Sequence, residues 1–112
     1  MTHHPHAAVV TLSGELDAGT AGRLRSLLNE LLLAGKSNLV LDLSGLTFID
    51  SAGLAALLSA AKGTRRGGGR LLLSGPAPTV RKVMALTGID VVLTTVDSVD
   101  EALARLLAEQ EG

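Results

Sequence analysis

The residues best suited to chemistry in this chain are a carboxylate and a hydroxyl that lie side by side, Asp50 and Ser51. They follow an apolar run over residues 39–43, which predicts a buried strand, and they precede a stretch whose apolar periodicity predicts a helix. With a short loop in between, Ser51 would lie at the accessible start of that helix. Main-chain N–H groups and the helix dipole favour negative charge at this end. The residues alone leave two roles open for Ser51: a helix cap, or a switch.

A cap at this position is worth about 1 kcal/mol, and both Asp50 and Ser51 are residue types that supply it. If one of them caps the helix, the other is free for a different role. Similar hydroxyl and acidic residues follow the other predicted strands, where parallel sheets gather their ligands and partners. Ser13, Ser44 and Ser74 among them are predicted to be ordinary turn or cap residues.

Catalysis by a serine would require a base within reach. All three histidines, His3, His4 and His6, lie in the N-terminal tail, where short polar tracts are usually neither catalytic nor metal-binding. A Gly-x-Ser-x-Gly elbow and a phosphate-binding Gly-x-x-x-x-Gly-Lys-Ser/Thr loop are both missing from the sequence. We therefore predict that the protein is not an enzyme and has no catalytic residue, no metal site and no cofactor.

Composition narrows the class of protein further. The chain has 112 residues, which suits one domain, with a net charge of −1, one aromatic residue and no cysteine. Base-stacking folds need exposed aromatic residues and duplex-binding faces need more basic charge, so we predict no direct contact with nucleic acid. No apolar segment is long enough for membrane insertion, and the N-terminus does not resemble a signal peptide. We predict a cytoplasmic protein.

Strand and helix signals alternate four times along the chain. Strands are predicted over residues 7–13, 38–43, 70–74 and 90–95. Helices are predicted from Thr20 to about Ala34, from Ser51 to Gly67, from Pro78 to Gly88, and onward from a capping box at Ser98–Glu101. This order predicts an α/β fold with a four-stranded, or slightly larger, mostly parallel or mixed sheet and about four helices. Residues 1–7 are predicted to be a short mobile tail, and residues 8–110 to form the domain.

The second helix has an unusual predicted outer face. Its core face is predicted to carry Leu54, Leu57, Leu58 and Ala61. The opposite face then carries only small, uncharged residues, namely Ala52, Ala55, Ala56, Ser59 and Gly63. Alanine is a good helix former, which would explain this composition without any partner. Because a solvated helix normally carries charge on its outer face, we interpret this face as an interaction surface.

Three motifs carry a resemblance to a known family. They are Gly14-Glu15-Leu16-Asp17, the stretch over residues 39–54 that ends in Phe48-Ile49-Asp50-Ser51-Ala52-Gly53-Leu54, and Leu86-Thr87-Gly88-Ile89. Together they resemble a STAS domain of the bacterial anti-sigma factor antagonist type, over about residues 9–107. Family members have an additional N-terminal strand, and the few residues before Val9 imply that it is short or missing here.

The resemblance implies a partner-switching function. The unphosphorylated protein would bind an anti-sigma factor that is also a serine kinase, which releases a sigma factor. Phosphorylation of Ser51 would end that binding, and a serine phosphatase would restore it. The alternative is a STAS scaffold or transporter-associated regulatory subunit in which Ser51 is only a cap; homo-oligomerisation is left open. The predicted partner-binding residues are Glu15, Asp17, Asp50, Ser51, Ala52, Gly53, Ala55, Ala56 and Ser59.

Overall fold

The computed structural model describes residues 2–3 and 7–111, and these residues form five strands and five helices. The strands are β1 (Thr2–His3), β2 (Ala8–Leu16), β3 (Leu39–Ile49), β4 (Leu71–Ser74) and β5 (Thr94–Val96). The helices are α1 (Ala21–Leu33), α2 (Ser51–Arg66), α3 (Pro78–Leu86), α4 (Ile89–Val92) and α5 (Val99–Glu111). In this part of the chain no helix has the length and apolar character needed to cross a membrane.

The strands form one sheet in the order β1-β2-β3-β4-β5. The pairs β2–β3, β3–β4 and β4–β5 are parallel, so the predicted four-stranded parallel sheet is confirmed. β1 adds an antiparallel edge of two residues, in which Thr2 lies opposite Val9. Met1, His4, Pro5 and His6 lie outside the described residues, as does most of the predicted histidine-rich tail. The domain boundary at residue 8 stays a prediction.

Two strands are longer than predicted. β2 does not end at Ser13 but continues to Leu16, and β3 extends from Leu39 through the expected loop to Ile49. The register between them shifts twice, and Gly14 adopts a left-handed φ of 77° between the shifts. Bulges of this kind let two strands stay paired past a glycine that would otherwise end the ladder. The helix that begins at Ser51 therefore follows a strand almost directly.

The fourth predicted strand is partly wrong. Residues 90–95 were expected to be extended, but Ile89–Val92 forms the short helix α4 and only Thr94–Val96 is a strand. Ile89 and Leu93 are both buried, and the Leu93 N–H donates to the Ile89 carbonyl at 2.8 Å. In a strand, Val91 would share their face, yet 88% of its surface is exposed, so the burial pattern fits a helical turn. Tertiary packing overrides the β preference of this segment.

The sheet carries two hydrophobic layers. On one side, the α1–α2 face, residues such as Leu39, Leu41 and Leu73 pack beneath α1, α2 and the α3–α4 segment. The other side is the α5 face, where α5 is the helix that covers the cluster within the described part of the chain. Its buried members are Ala7, Val9, Val40, Leu72, Val96, Ala102 and Leu106.

The signals predicted to bound α3 and to begin α5 are confirmed. Pro78 occupies the first turn of α3, and Gly88 has a left-handed φ of 74°. At the start of α5 the Glu101 N–H donates to the Ser98 hydroxyl at 3.1 Å, and the Glu101 carboxylate accepts from the Asp97 N–H at 2.9 Å. The carboxylate thus reaches one residue further back than in the usual capping box.

Candidate functional site

Asp50 caps helix α2. Its backbone is extended, and its carboxylate Oδ1 accepts a hydrogen bond from the Gly53 N–H at 3.0 Å. The Asp50 carbonyl accepts the first helical hydrogen bond, from the Leu54 N–H at 2.9 Å. Of the two residues able to cap this helix, the aspartate does so, and Ser51 becomes the first residue inside the helix.

Asp50 also ties α2 to the loop between β2 and α1. Its second oxygen, Oδ2, accepts from the Ala18 N–H at 3.3 Å, and its own N–H donates to the Leu16 carbonyl at 3.2 Å. One residue thereby holds together two segments that are 32 positions apart in the sequence. The start of α2 is fixed against the end of β2.

The loop after β2 is organised by Asp17. Its Oδ1 accepts from the main-chain N–H groups of Gly19 and Thr20 at 3.0 and 3.1 Å. The Thr20 hydroxyl accepts from the Asp17 N–H and donates to the Glu15 carbonyl, both at 2.9 Å. The expectation that the Thr20 side chain caps α1 is therefore wrong, since that hydroxyl stabilises the loop instead. The loop holds Asp17 close to the start of α2.

Ser51 is exposed at this junction. Within the part of the chain that the structure describes, its hydroxyl makes no hydrogen bond, and the first turn of α2 carries no acidic side chain. An added phosphate would meet the positive end of the helix dipole. The geometry thus leaves the hydroxyl free for modification or for contact.

Gly53 is required by close packing at the start of α2. A Cβ atom at this position would lie 2.4 Å from the Leu16 carbonyl oxygen and 2.8 Å from the Ile49 Cγ1 atom. Any side chain would push α2 away from the ends of β2 and β3. Gly53 is buried and has this packing role, and its predicted contact with a partner stays a prediction.

The predicted outer face of α2 is partly wrong. Ala56 is fully buried, and it lies against α1 rather than in solvent. A Cβ atom at Gly63 would lie 2.7 Å from the Leu32 Cδ1 atom of α1. Ala55 and Ser59 are exposed, as predicted. The small residues therefore serve two purposes: some let α2 approach α1, and others form the surface.

The structure brings most of the predicted partner-binding residues to one edge of the sheet. Glu15 lies opposite Phe48 in the β2–β3 ladder, and the next pair, Leu16 and Ile49, leads directly to Asp50. Glu15, Ser51, Ala55 and Ser59 are exposed, whereas Asp17, Asp50 and Ala52 are half-buried. Ser74, expected to be a turn residue at this edge, is instead fully buried.

Phe48 is the residue that sequence reasoning missed. It is the only aromatic residue of the chain, and 48% of its surface is exposed, three positions before Ser51. Exposed aromatic side chains often anchor protein interfaces. Its position beside the Asp50-Ser51 pair was the available signal, but residues 44–49 were expected to form a loop.

A family model for the STAS domain matches residues 1–102 of the chain. The chain belongs to the STAS domain family. This confirms the resemblance expected from the three motifs. Among the side chains that the structure describes, those of residues 7–109, no cluster of three or more histidine, cysteine, aspartate or glutamate residues could hold a metal ion in this STAS domain.

This STAS domain is similar to a named relative and to proteins of known structure. An anti-sigma F factor antagonist from Paenibacillus polymyxa is 31% identical over 107 residues, which cover 95% of this chain and 92% of the relative. A crystal structure of an anti-sigma factor antagonist from Mycobacterium paratuberculosis is 28% identical, with a TM-score of 0.83 over 94% of this chain and 89% of that one. The structure of the Bacillus cell fate determinant SpoIIAA in the phosphorylated form is 25% identical, with a TM-score of 0.72 over 95% and 96% of the two chains.

Proposed function

We propose that this STAS domain is an anti-sigma factor antagonist that is switched by phosphorylation of Ser51. In this proposal the unphosphorylated protein binds an anti-sigma factor with serine kinase activity and so releases a sigma factor. The names of its relatives support the general role. The observation that carries the switch is that Asp50 caps α2, which leaves the Ser51 hydroxyl exposed and without a structural task.

The electrostatics of the site support a switch that leaves the fold intact. A phosphate adds about −1.5 to −2 charge at pH 7. The dipole of α2 attracts that charge, whereas the Asp50 carboxylate repels it. Because Asp50 accepts two main-chain N–H groups, its own negative charge is partly compensated. The two opposing effects leave the free energy of unfolding of the modified domain nearly unchanged.

A bound partner would respond differently. A protein surface packed against Ser51 would have to bury a phosphate dianion with no matched cation, which costs several kcal/mol. Binding would then be lost although the domain stays folded. A relative of similar fold exists in a phosphorylated form, which supports this class of regulation.

The proposed partner surface surrounds Ser51. It includes the exposed residues Glu15, Phe48, Ala55 and Ser59 and the half-buried residues Asp17, Asp50 and Ala52. Phe48 supplies a large apolar side chain on a surface whose other side chains are small or acidic. Gly53 and Ala56 lie beneath the surface and shape it. The remaining participants in the cycle would be a serine phosphatase and ATP, in the cytoplasm.

The proposal is tested by incubating the protein with purified anti-sigma factor kinases and ATP, then locating any phosphate by mass spectrometry. We expect one phosphate, on Ser51. The variant Ser51→Ala should take up none, whereas Ser26→Ala, which changes an exposed serine of α1 outside the proposed partner surface, should be phosphorylated like the wild type. Phosphate that persists in Ser51→Ala would refute the site. If no kinase binds or modifies the protein, a constitutive STAS scaffold becomes the better description.

A further inference from the structure

A groove runs between α1 and α2. It consists of two adjoining depressions of about 210 and 500 Å³, and both are lined by Asn29, Leu32, Gly63 and Arg66. The groove extends along α2 from Ala56 to Gly67, which is about 16 Å at the helical rise per residue. It exists because α2 carries alanine and glycine here instead of larger side chains.

Two arginines border this groove, one from each helix. Arg25 belongs to α1 and Arg66 to the last turn of α2, and both are exposed. No acidic side chain lines either depression. The ion pairs found in the described part of the chain join other residues, Arg70 with Glu109 and Glu101 with Arg105. The groove therefore presents two positive charges that have no acidic partner among residues 7–109, whose side chains the structure describes.

One end of the groove is apolar. Leu32 and Leu33 line it there, and 90% of the Leu33 surface is exposed. A leucine side chain this exposed contributes almost no hydrophobic stabilisation to the fold. An occupant that placed an apolar side chain against Leu32 and Leu33 would remove this surface from water.

The groove is continuous with the surface around Ser51. Ser51, Ala55 and Ser59 are exposed at intervals of four residues, so they form one stripe along α2. Ser59 lines the groove and lies about 12 Å from Ser51 along the helix axis. A partner bound at Ser51 could reach the groove with a neighbouring segment of its own chain.

We propose that the α1–α2 groove docks an acidic, amphipathic segment of the same anti-sigma factor that binds at Ser51. The segment would place carboxylates near Arg25 and Arg66 and an apolar side chain against Leu32 and Leu33. This inference rests on the proposed function, since it assigns a second contact to the same partner. Opposite charge across the rim would speed association and select this partner over others.

A charge-neutralised variant and a charge-reversed variant test the proposal. Both are compared in a Ser51→Ala background, so that phosphorylation cannot change the bound state during the measurement. The ligand is the purified kinase that phosphorylates Ser51 of the wild-type protein. We expect Arg25→Gln with Arg66→Gln to lower the affinity about 3- to 30-fold. Arg25→Glu with Arg66→Glu should lower it about 10- to 100-fold, mainly through slower association.

The matched control carries the same charge change elsewhere. Arg81→Glu with Lys82→Glu alters two exposed cations on α3 that do not line the groove. This control should bind like the parent protein. The effect of the groove variants should also shrink as the salt concentration rises, because exposed ion pairs are screened. Affinities that are equal for the groove variants and the parent would overturn the proposal.

Cross-linking identifies the occupant directly. The chain has no cysteine, so Ser59→Cys provides a single attachment point for a photo-crosslinker inside the groove. We expect it to capture a kinase peptide that contains acidic and apolar residues, whereas Ala104→Cys on α5 should capture none. Capture of a basic or uncharged peptide at position 59, or of nothing, would exclude an acidic segment. If the wild-type protein binds no kinase at all, the proposed function is refuted. If the wild-type protein and the groove variants bind a kinase equally well, only the groove proposal is refuted.

Discussion

The α5 face and the α1–α2 face of the sheet differ in how their charged side chains are used. On the α5 face, both ion pairs of the described side chains involve α5: Glu101 pairs with Arg105 within the helix, and Arg70 links Glu109 to the start of β4. On the α1–α2 face, close helix packing relies on alanine and glycine, and Arg25 and Arg66 border an open groove without acidic partners. The difference is consistent with a mainly stabilising role for α5 and with the interaction surface that we propose on α1 and α2.

The sharpest test of this comparison is the pair Ala56→Arg and Ala55→Arg. Ala56 is fully buried against α1, so an arginine there should lower the free energy of unfolding by about 3–4 kcal/mol, through overpacking and a buried charge. Ala55 is exposed, and the same change should leave stability within about 0.5 kcal/mol while weakening kinase binding. Urea unfolding followed by circular dichroism measures both. Equal stability of the two variants would mean that α2 is rotated relative to the structure.

Gly53→Ala is expected to have the next largest effect. The new methyl group would meet the Leu16 carbonyl, which cannot move without shifting β2, so we expect a loss of about 2–3 kcal/mol. Gly22→Ala in α1 is the control, because nothing lies within 4 Å of its Cβ position. That control should gain about 0.5–1 kcal/mol through lower backbone entropy in the unfolded chain. Thermal melts separate a general glycine effect from the packing effect.

Asp50→Ala should lower the free energy of unfolding by about 1–2 kcal/mol. It removes the α2 cap and the hydrogen bond to the Ala18 N–H at the same time. Ser51→Ala should cost well under 1 kcal/mol, since its hydroxyl has no partner among the described residues. It should also keep the protein permanently able to bind its kinase. A larger loss for Ser51→Ala than for Asp50→Ala would assign the cap to the serine.

Arg70→Met and Arg66→Met compare a paired with an unpaired arginine. Arg70 contacts both Glu109 and the Thr94 hydroxyl, yet it is partly exposed, so solvent screening limits the expected loss to about 0.5–1 kcal/mol. Arg66→Met should leave the free energy of unfolding nearly unchanged. The difference between the two variants should diminish in 1 M salt. If Arg70→Met and Arg66→Met lower the free energy of unfolding equally, the charged side chains of the two faces do not differ in their contribution to stability.

Ser51→Asp should have the smallest effect on stability. One carboxylate carries less charge than a phosphate and has fewer oxygens, and attraction by the α2 dipole offsets repulsion from Asp50. Kinase affinity should nevertheless fall, because a buried carboxylate without a cation is costly. Titration calorimetry against the kinase, with melts as a control, measures both quantities. Equal affinity of wild type and variant would place Ser51 outside the interface.

Much of the fold could be predicted from local signals. The apolar runs at residues 39–43 and 71–73, the proline at position 78 and the glycine at position 88 each determine a strand or a helix end through short-range chemistry. The motif around Asp50 and Ser51 located the candidate site for the same reason: capping preferences act within one helical turn. The parallel order of the sheet follows from the alternation of strands and helices.

Long-range contacts decided the rest. Residues 44–49 remain a strand because two bulges keep them paired with β2. Residues 89–92 form a helix, which lets Ile89 and Leu93 reach the core while Val91 stays exposed. The sequence also could not tell which small residues of α2 face solvent, since alanine suits a tight helix contact and an exposed surface equally well. Only the packing of α2 against α1 buries Ala56, leaves Ala55 exposed and opens a groove between two arginines.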